Sequence, residues 1–323
     1  MAQSLEPLKE AVTKILVTKL ASNAESEHGM YNLVTPFFDQ KSEIQINDLA
    51  VSSGFSTKTG VGVPTPQDIR ALGAASSPII REKNHRFEGH RLLDHARLAS
   101  DIVDACWTQA WNEIDAAVFT LLGAGRTTAH PDDGVSGSPY AATGGGTVYA
   151  VDAYDMSYLD GTSGSQTNNA SLTFSSANLA TRLLARGAYK SLGGKPDLEK
   201  FPPLLVVHSG ISQLANDLAA QEGRFYTGSG AESGFKGRLK GVVVAPEASS
   251  WPSGGWALVY VKDQVGPDGQ QYKKGPVYVH IRETPQIKIE EIVGSSDINV
   301  YTKFHYSAFY GPCPDQTLFY SQP

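Results

Sequence analysis

The chain has 323 residues, of which 41% are hydrophobic and 19% are charged, and its formal net charge is −6. This length allows a large core in one elaborate domain or in two modest ones. The 32 glycines and 18 prolines predict many turns and long loops, although the composition is still that of a folded protein. Because no block of lysine and arginine occurs, tight binding to DNA or to an anionic membrane is not expected as the main role.

The cysteines and the N-terminus indicate where the protein is made. The two cysteines, Cys106 and Cys313, are too few and too far apart for a disulfide framework or a zinc motif, and Cys106 is predicted to be a buried thiol. The first twenty residues mix acidic and apolar side chains, unlike a signal peptide. No run of 18 apolar residues occurs. We therefore expect a soluble protein made in a reducing cytoplasm.

Residues 3–21 are predicted to form a weakly amphipathic helix, which begins the chain. Two interpretations remain open, an arm that lies on another surface or the first helix of a core. The apolar positions at helical spacing are Leu5, Leu8, Val12, Ile15, Leu16 and Leu20.

Residues 40–88 alternate apolar and polar side chains and then break at glycines and prolines. Two charged strands joined by this Gly/Thr/Pro segment predict a long hairpin with little core of its own. Since an isolated hairpin is marginal in water, it is expected to rest on its own domain or on a neighbour.

The longest helical signal runs from His90 to Leu122, a stretch without glycine or proline. About 33 residues would give a helix near 50 Å long, which suggests a spine for the molecule. Trp107 and Trp111 lie four residues apart and are explained by helix packing. The predicted buried seam contains Leu92, Leu93, Ala96, Ala99, Ile102, Val103, Cys106, Ala110, Ile114, Ala117, Val118 and Leu121.

Residues 123–170 are loop-rich, with one strand near 147–154, and regular elements follow them. Ser175 is predicted to cap a helix that Gly193 and Gly194 end, with Phe174 and Leu179 as a hydrophobic staple. The predicted buried stripe of this helix is Ala180, Leu183, Leu184, Gly187 and Ala188.

The next segments predict a small α/β layer followed by a terminal meander. The run "PLLVVHS" is typical of a central strand covered on both faces, and "GISQLANDLAAQEG" predicts a helix. Further strands are predicted at "LKGVVVAPEAS" and "GGWALVYVKDQ". Near the C-terminus, Val277–Ile281, Ile287–Ile292 and Ile298–Ala308 alternate as three antiparallel strands with one wet face.

Several polar groups are candidate sites of chemistry. His130, Asp132 and Asp133 lie in a glycine-rich loop, but a metal site needs more converging ligands. His208 and Ser209 follow a strand at a position where α/β sheets often carry active groups. No third member of a triad is nearby, and G-x-S-x-G is absent.

The remaining candidates are also weak. His85, His90 and His95 recur every five residues, so on a helix they would not share a face. Residues 228–237 are glycine-rich but lack the phosphate-loop pattern GxxxxGK[ST]. The sequence therefore predicts no catalytic residue, no cofactor-binding site and no metal site, and no enzyme activity.

Two quoted stretches carry a resemblance to a known family. They are "LTFSSANLATRLLARGAYKSLGGKPDLEKFPPLLVVHSG" and "LKGVVVAPEASSWPSGGWALVYVKD". Their order of helix, Gly-Lys-Pro break, apolar strand, helix and Trp-containing strand resembles the HK97-type major capsid proteins of tailed bacteriophages, in particular Mu-like major head subunits. The clear similarity covers residues 171–265, and the rest agrees in the order of its elements.

The resemblance implies an α+β HK97-like capsid fold with four parts. Residues 1–38 would be the N-terminal arm and 39–88 the extended E-loop hairpin. Residues 89–125 and 270–323 would form the peripheral domain, with the spine helix and a long antiparallel sheet. Residues 126–269 would form the α/β axial domain.

The resemblance also implies a function and partners. The chain would assemble with itself through hexamers and pentamers into an icosahedral virion shell, built in the host bacterial cytoplasm around double-stranded DNA held by non-specific contact. Scaffold, portal and decoration proteins would be further partners, and no membrane would be involved. Lys58 lacks a supporting context, so no covalent crosslink is expected. The chain has no room for a long cleavable scaffolding segment, so a separate scaffold or self-assembly is expected.

Three alternatives stay open at this point. An encapsulin-like nanocompartment protein would share the fold and enclose enzymes, although encapsulins are usually shorter. A tail or decoration protein would have a similar composition but no long spine helix. A hydrolase with an unrecognised site would need converging carboxylates.

Overall fold

The structure is a computed structural model. It describes residues 28–51, 69–87, 96–131, 146–150, 154–194, 202–220, 235–265, 269, 271–292, 297–312 and 314–323. Within these ranges the chain has an α+β fold built from a long helix, shorter helices and several sheets.

The helices are few and unequal in length. The first helix runs for 28 residues, about 42 Å at 1.5 Å per residue. Short 3₁₀ turns occur at Gly29–Asn32 and Ser209–Ile211. The α-helices are α1 (Ala96–Gly123), α2 (Ser176–Ala188), α3 (Ser212–Ala220) and α4 (Pro314–Thr317).

The described strands form two larger sheets and three two-stranded ones. In the four-stranded sheet the order is β1 (Phe37–Phe38), β13 (Val277–Glu291), β14 (Ile298–Tyr310) and β4 (Ile79–Phe87). In the five-stranded sheet it is β7 (Asn169–Ala170), β15 (Leu318–Ser321), β10 (Trp256–Val259), β8 (Leu204–Val207) and β9 (Gly241–Val244). The separate pairs are β2 (Gln45–Val51) with β3 (Ile69–Ala75), β5 (Tyr154–Ser157) with β6 (Ser163–Gln166), and β11 (Lys262–Val265) with β12 (Gln271–Lys274).

Helix α1 confirms the predicted spine, and residues 88–95 at its predicted start lie outside the described residues. Its apolar seam packs against β13 and β14. Trp107 and Trp111 are buried in that seam, as packing predicted, and so is Cys106. The buried apolar positions of α1 are Ile102, Val103, Cys106, Trp107, Ala110, Trp111, Ile114, Val118, Phe119 and Leu122.

Two tyrosines satisfy the C-terminal turn of α1. The last carbonyls of a helix have no partner within the helix. The hydroxyl of Tyr149 donates to the carbonyl of Leu122, and that of Tyr310 donates to the carbonyl of Leu121. Burial raises the pKa of both phenols, so both remain protonated donors. A Cβ on Gly125 would collide with the Tyr149 ring, which explains the glycine there.

The C-terminal meander has two long strands, β13 and β14, where three shorter strands were predicted. The segments Val277–Ile281 and Ile287–Ile292 were predicted as separate strands, but β13 is continuous and pairs with β14 along its length. The register shifts between Ile281 and Gln286, where Pro285 has no N–H to donate to the ladder. The strand accommodates the proline at this irregularity without ending.

The hairpin prediction for residues 40–88 is wrong in its pairing. Strand β2 pairs with β3, whose sequence lacks a clear alternation and was not predicted as a strand. The predicted second leg, β4, pairs instead with β14 and forms the edge of the four-stranded sheet. The tip, residues 52–68, lies outside the described residues.

The five-stranded sheet confirms the predicted α/β layer. Strands β8 and β9 are parallel, and α3 connects them. All four residues of β8 are buried, Leu204 and Val206 in one apolar cluster and Leu205 and Val207 in another. The strand is therefore covered on both faces, as its apolar run indicated.

Helix α2 begins as predicted but ends earlier. The Ser175 side chain accepts a hydrogen bond from the Asn178 N–H at 3.2 Å. The helix ends at Ala188, before Gly193 and Gly194, because Tyr189 turns to an extended conformation. The ring of Tyr189 packs against Phe319.

The buried stripe predicted for α2 is confirmed only in part: Ala180 and Leu183 pack, partly buried, against an apolar cluster, whereas Gly187 and Ala188 are exposed. The buried residues are Leu179, Arg182 and Arg186, whereas Leu184 is 77% exposed. Each arginine lies over the Phe319 ring, with guanidinium carbon to centroid distances of 5.4 and 5.8 Å. These cation–π contacts place guanidinium groups where the pattern had predicted leucine and alanine.

Arg182 shows which contacts stabilise a buried guanidinium group in this arrangement. Its guanidinium donates to the carbonyl of Asn168 at 2.7 Å, and burial lowers the pKa of Arg182 to about 10. A second donation, to the Tyr320 carbonyl, is 3.4 Å long. Backbone carbonyls and an aromatic face thus stabilise the buried cation and fasten α2 to strand β15.

The seam of α1 yields a stability prediction. Ala110 is 2% exposed, so Ala110→Asp places an unpaired carboxylate among apolar side chains. We expect the free energy of unfolding to fall by about 3 kcal/mol or more, measured by urea denaturation. Thr108→Asp adds the same charge at an exposed position of the same helix and should cost under about 1 kcal/mol. Equal losses in both variants would contradict the observed helix register.

Candidate interaction surfaces

The residues weighed as sites of chemistry do not converge. His130 is buried edge-on to Tyr154, while Asp132 and Asp133 lie outside the described residues. His208 accepts a hydrogen bond from the Gly210 N–H at 3.0 Å and caps a 3₁₀ turn. Within the ranges given above, no three histidine, cysteine, aspartate or glutamate side chains are grouped as metal ligands would be.

The other predicted clusters separate in the same way. His85 lies half-buried on strand β4, not on a helix, and it packs near Phe87. His90 and His95 fall outside the described residues, as does most of the glycine-rich stretch 228–237. The features of the described structure that bear on function are therefore surfaces for contact with other molecules.

As far as the structure describes the helices, none is both long and apolar enough to cross a bilayer.

The hairpin β2–β3 is the first of these surfaces. Among the described strands it pairs with no other, so it forms a two-stranded sheet of its own. Its base is fixed by hydrogen bonds between its two legs and strand β13. This attachment at one end makes the hairpin a candidate for contact with another molecule.

The second surface is the free edge beside this base. Ile79 and Ile80 begin strand β4 and are 50% and 56% exposed. The rest of the strand is mostly exposed and charged, which is typical of an edge protected against uncontrolled strand pairing. Arg81 bridges to Glu113 of helix α1 at 3.3 Å.

A groove of about 510 Å³ runs between this edge and helix α1. Small side chains, including Ala116, Ala117, Ala124 and Ala308, line it together with larger ones such as Ile79, Leu121 and Tyr306. Small apolar side chains allow the close approach of another chain, so the edge at β4 and this groove form one continuous candidate contact area.

The third feature anchors the start of the described chain. The Asp115 carboxylate of α1 accepts a hydrogen bond from the Met30 N–H at 2.7 Å. His28 stacks on Trp111 with a centroid separation of 6.1 Å. Burial raises the pKa of Asp115 above its usual range. Residues 28–30 are therefore held to helix α1 by a buried hydrogen bond and by ring stacking.

Sequence patterns did not identify these polar anchors. Ser76 and His280 are 204 residues apart, and no spacing rule relates them. Asp115 left a weak signal, a carboxylate inside a helix among buried neighbours such as Ile114. Such a residue indicates a buried acceptor function but does not identify the donor.

Comparison with known proteins finds similarity in structure alone. No family profile matches the chain, and no curated protein matches it either. A solved structure from Mycobacterium phage Patience has a TM-score of 0.50 and 14% identity, over 98% of this chain and 86% of its own. One from Mycobacterium phage Bobi has a TM-score of 0.49 and 12% identity, over 92% and 90%. The capsid of the native GTA particle has a TM-score of 0.47 and 10% identity, over 91% and 89%.

At sequence identities of 10–14%, structural similarity shows a shared fold alone. The match to the Mycobacterium phage Patience structure spans nearly the whole chain and confirms the predicted α+β fold class. Capsid structures are among the solved structures that resemble the chain.

The anchor yields a prediction with a pH dependence. Asp115→Ala leaves the Met30 N–H buried without an acceptor and should lower the free energy of unfolding by about 1–3 kcal/mol. Asp115→Asn keeps an acceptor oxygen without a charge, so its loss near neutral pH should be smaller. Because the pKa of Asp115 is raised in the folded state, its contribution is largest at acid pH and declines as the pH rises above about 4.

Urea denaturation at several pH values measures this. The stability of the wild type relative to Asp115→Asn should decrease between about pH 4 and pH 7. A relative stability that increases over the same range would contradict the assigned burial effect.

Proposed function

We propose that this chain is a major capsid protein of HK97-like fold that assembles through hexamers and pentamers into an icosahedral phage head enclosing double-stranded DNA. The observation that carries the proposal is the fold shared over 98% of the chain with a solved phage structure. The two sequence stretches that resemble Mu-like head subunits support it, and that finer resemblance stays a prediction.

The surfaces support the same proposal. Ile79, Ile80 and Leu184 are at least half exposed, and the hairpin is attached at its base alone among the described elements. Exposed apolar side chains beside a groove are typical of a chain that buries area against other copies. A role in shape and contact, with no catalysis, accounts for these features.

The division into parts is proposed as the sequence suggested it. Residues 1–38 form the arm, 39–88 the E-loop, 89–125 with 270–323 the peripheral domain, and 126–269 the axial domain. The terminal strand β15 crosses this division, since it pairs with β10 in the five-stranded sheet.

We propose no cofactor, and packaged DNA would be contacted without sequence readout, in keeping with the net charge of −6. Scaffold, portal and decoration proteins remain proposed partners.

Electron microscopy of the purified chain, with its mass from light scattering, tests the proposal. Hollow shells, or free hexamers and pentamers, are expected. A stable monomer with hydrolytic activity would overturn the proposal. Shells that co-purify with an enzyme cargo, and that never contain DNA in the host, would favour the encapsulin-like alternative.

A surface variant sharpens this test. Ile80→Asp removes an exposed apolar side chain and should change the free energy of unfolding by less than about 0.5 kcal/mol. If Ile80 is buried between copies, about 2 kcal/mol is lost at each contact, so the concentration needed for assembly should rise about tenfold or more. Sedimentation of particles against subunit concentration measures it.

The matched control is Asn84→Asp, which adds the same charge on the same face of β4 at an exposed position. Assembly of this control should be close to that of the wild type. Equal inhibition by both variants would indicate a general charge effect and would exclude Ile80 from the contact.

A further inference from the structure

Both legs of the hairpin β2–β3 meet one buried side chain. His280 of strand β13 is 0% exposed. Its Nε2 lies 2.8 Å from the carbonyl oxygen of Asp39, on the leg that leads out. Its Nδ1 lies 2.8 Å from the Oγ of Ser76, on the leg that returns. A single imidazole therefore connects the start and the end of the hairpin to the four-stranded sheet.

The hydrogen bonds determine the form of the imidazole. A carbonyl oxygen only accepts, so the Nε2 of His280 carries the proton and donates to Asp39. Nδ1 is then the acceptor, and the Ser76 hydroxyl donates to it. The Ser76 oxygen in turn accepts from the Ile44 N–H at 3.0 Å. In this hydrogen-bond relay of Asp39, His280, Ser76 and Ile44, both ring nitrogens have partners and the Ser76 hydroxyl both donates and accepts.

Backbone contacts reinforce the relay from outside. The Ser76 N–H donates to the Ile44 carbonyl at 3.0 Å, and the Asp39 N–H donates to the Ile281 carbonyl at 3.3 Å. Arg282 donates to the Gln40 carbonyl at 3.1 Å but is exposed there. His280 and Ser76 are the fully buried members, so water cannot replace their bonds without opening the root of the hairpin.

We propose that His280 is a positioning residue: through Ser76 and the Asp39 carbonyl it fixes the direction in which the hairpin leaves the sheet. Each bond alone ties one leg, and both legs are also continuous with strands of the sheet, β1 before Asp39 and β4 after Ser76. Together the two hydrogen bonds of His280 tie both legs to strand β13, which fixes the angle between the hairpin and the four-stranded sheet. The two-stranded hairpin, which lacks a core, takes its orientation from this buried polar group.

Hydrogen–deuterium exchange on the full-length chain tests the relay directly. His280→Leu keeps an apolar side chain of similar size but removes both hydrogen bonds. We expect amide exchange in peptides from 45–51 and 69–75 to accelerate at least about tenfold, through local opening of the root. Exchange in β10, in the other sheet, should be unchanged.

Two further variants separate positioning from packing. Ser76→Ala breaks the relay on the returning leg without touching β13, and should accelerate the same peptides even if His280→Leu fails to fold. His280→Gln offers an amide donor and an acceptor oxygen in nearly the same places, so exchange should return towards the wild-type rate. Ser307→Ala is the matched control, since Ser307 is the register partner of His280 and lies outside the relay.

Three results would each overturn the inference: unchanged hairpin exchange in both His280→Leu and Ser76→Ala; equal acceleration in His280→Gln and His280→Leu, which would indicate a packing role; or faster exchange throughout β10 and β14, which would indicate loss of the core.

A consequence for assembly rests on the proposed function. If copies contact one another through the hairpin, His280→Leu should give particles with a broader range of diameters than His280→Gln, as seen by electron microscopy. Particles of equal uniformity would exclude this consequence. If the wild type forms no particles, the proposed function fails, while the exchange experiment still decides the role of His280.

Discussion

The structure depends on the apolar seam of helix α1. This seam packs on β13 and β14, and the same buried cluster continues into the five-stranded sheet through Val206, Ala257 and Val259. One core therefore holds both large sheets, and the long helix lies within it. A helix of about 42 Å is stable in water chiefly through burial of such a face. Any change that puts charge into the seam acts on both sheets at once.

The peripheral elements are held by buried polar groups in addition to apolar contacts. Asp115 holds the backbone of Met30, His280 holds both legs of the hairpin, and Tyr149 closes the end of α1. A buried hydrogen bond adds modest net stability but is expensive to leave unmade, so it defines geometry more than it adds energy. Apolar packing thus fixes the body of the protein, and specific polar contacts fix the directions of the parts that project from it.

The sequence predicted those elements whose signals are local. The α1 seam, the Ser175 cap and the buried strand at Leu204–Val207 follow from periodicity, capping chemistry and β-branched runs, which depend on near neighbours. Prediction from the sequence failed where contacts between residues distant in the chain determine the structure. Strand β3 forms because β2 and the root of the hairpin hold it. Strand β13 continues through Pro285 because it pairs with β14 on both sides of the proline. The relay at His280 joins residues more than 200 positions apart and leaves no local pattern.

Helix α2 shows why the surface was harder to predict than the core. Its leucines and alanines were assigned to the inside because apolar stripes normally face a core. Here Phe319 and Tyr260 present aromatic faces, and the guanidinium groups of Arg182 and Arg186 cover them on long apolar stems, while Arg182 also donates to a backbone carbonyl. Leu184 is then left on the outside. If other copies cover the outer faces, as proposed, an apolar residue has two environments in which it can be buried. Sequence periodicity alone does not distinguish an internal core from an intermolecular contact, so the side chain's exposure in the single chain has to be known first.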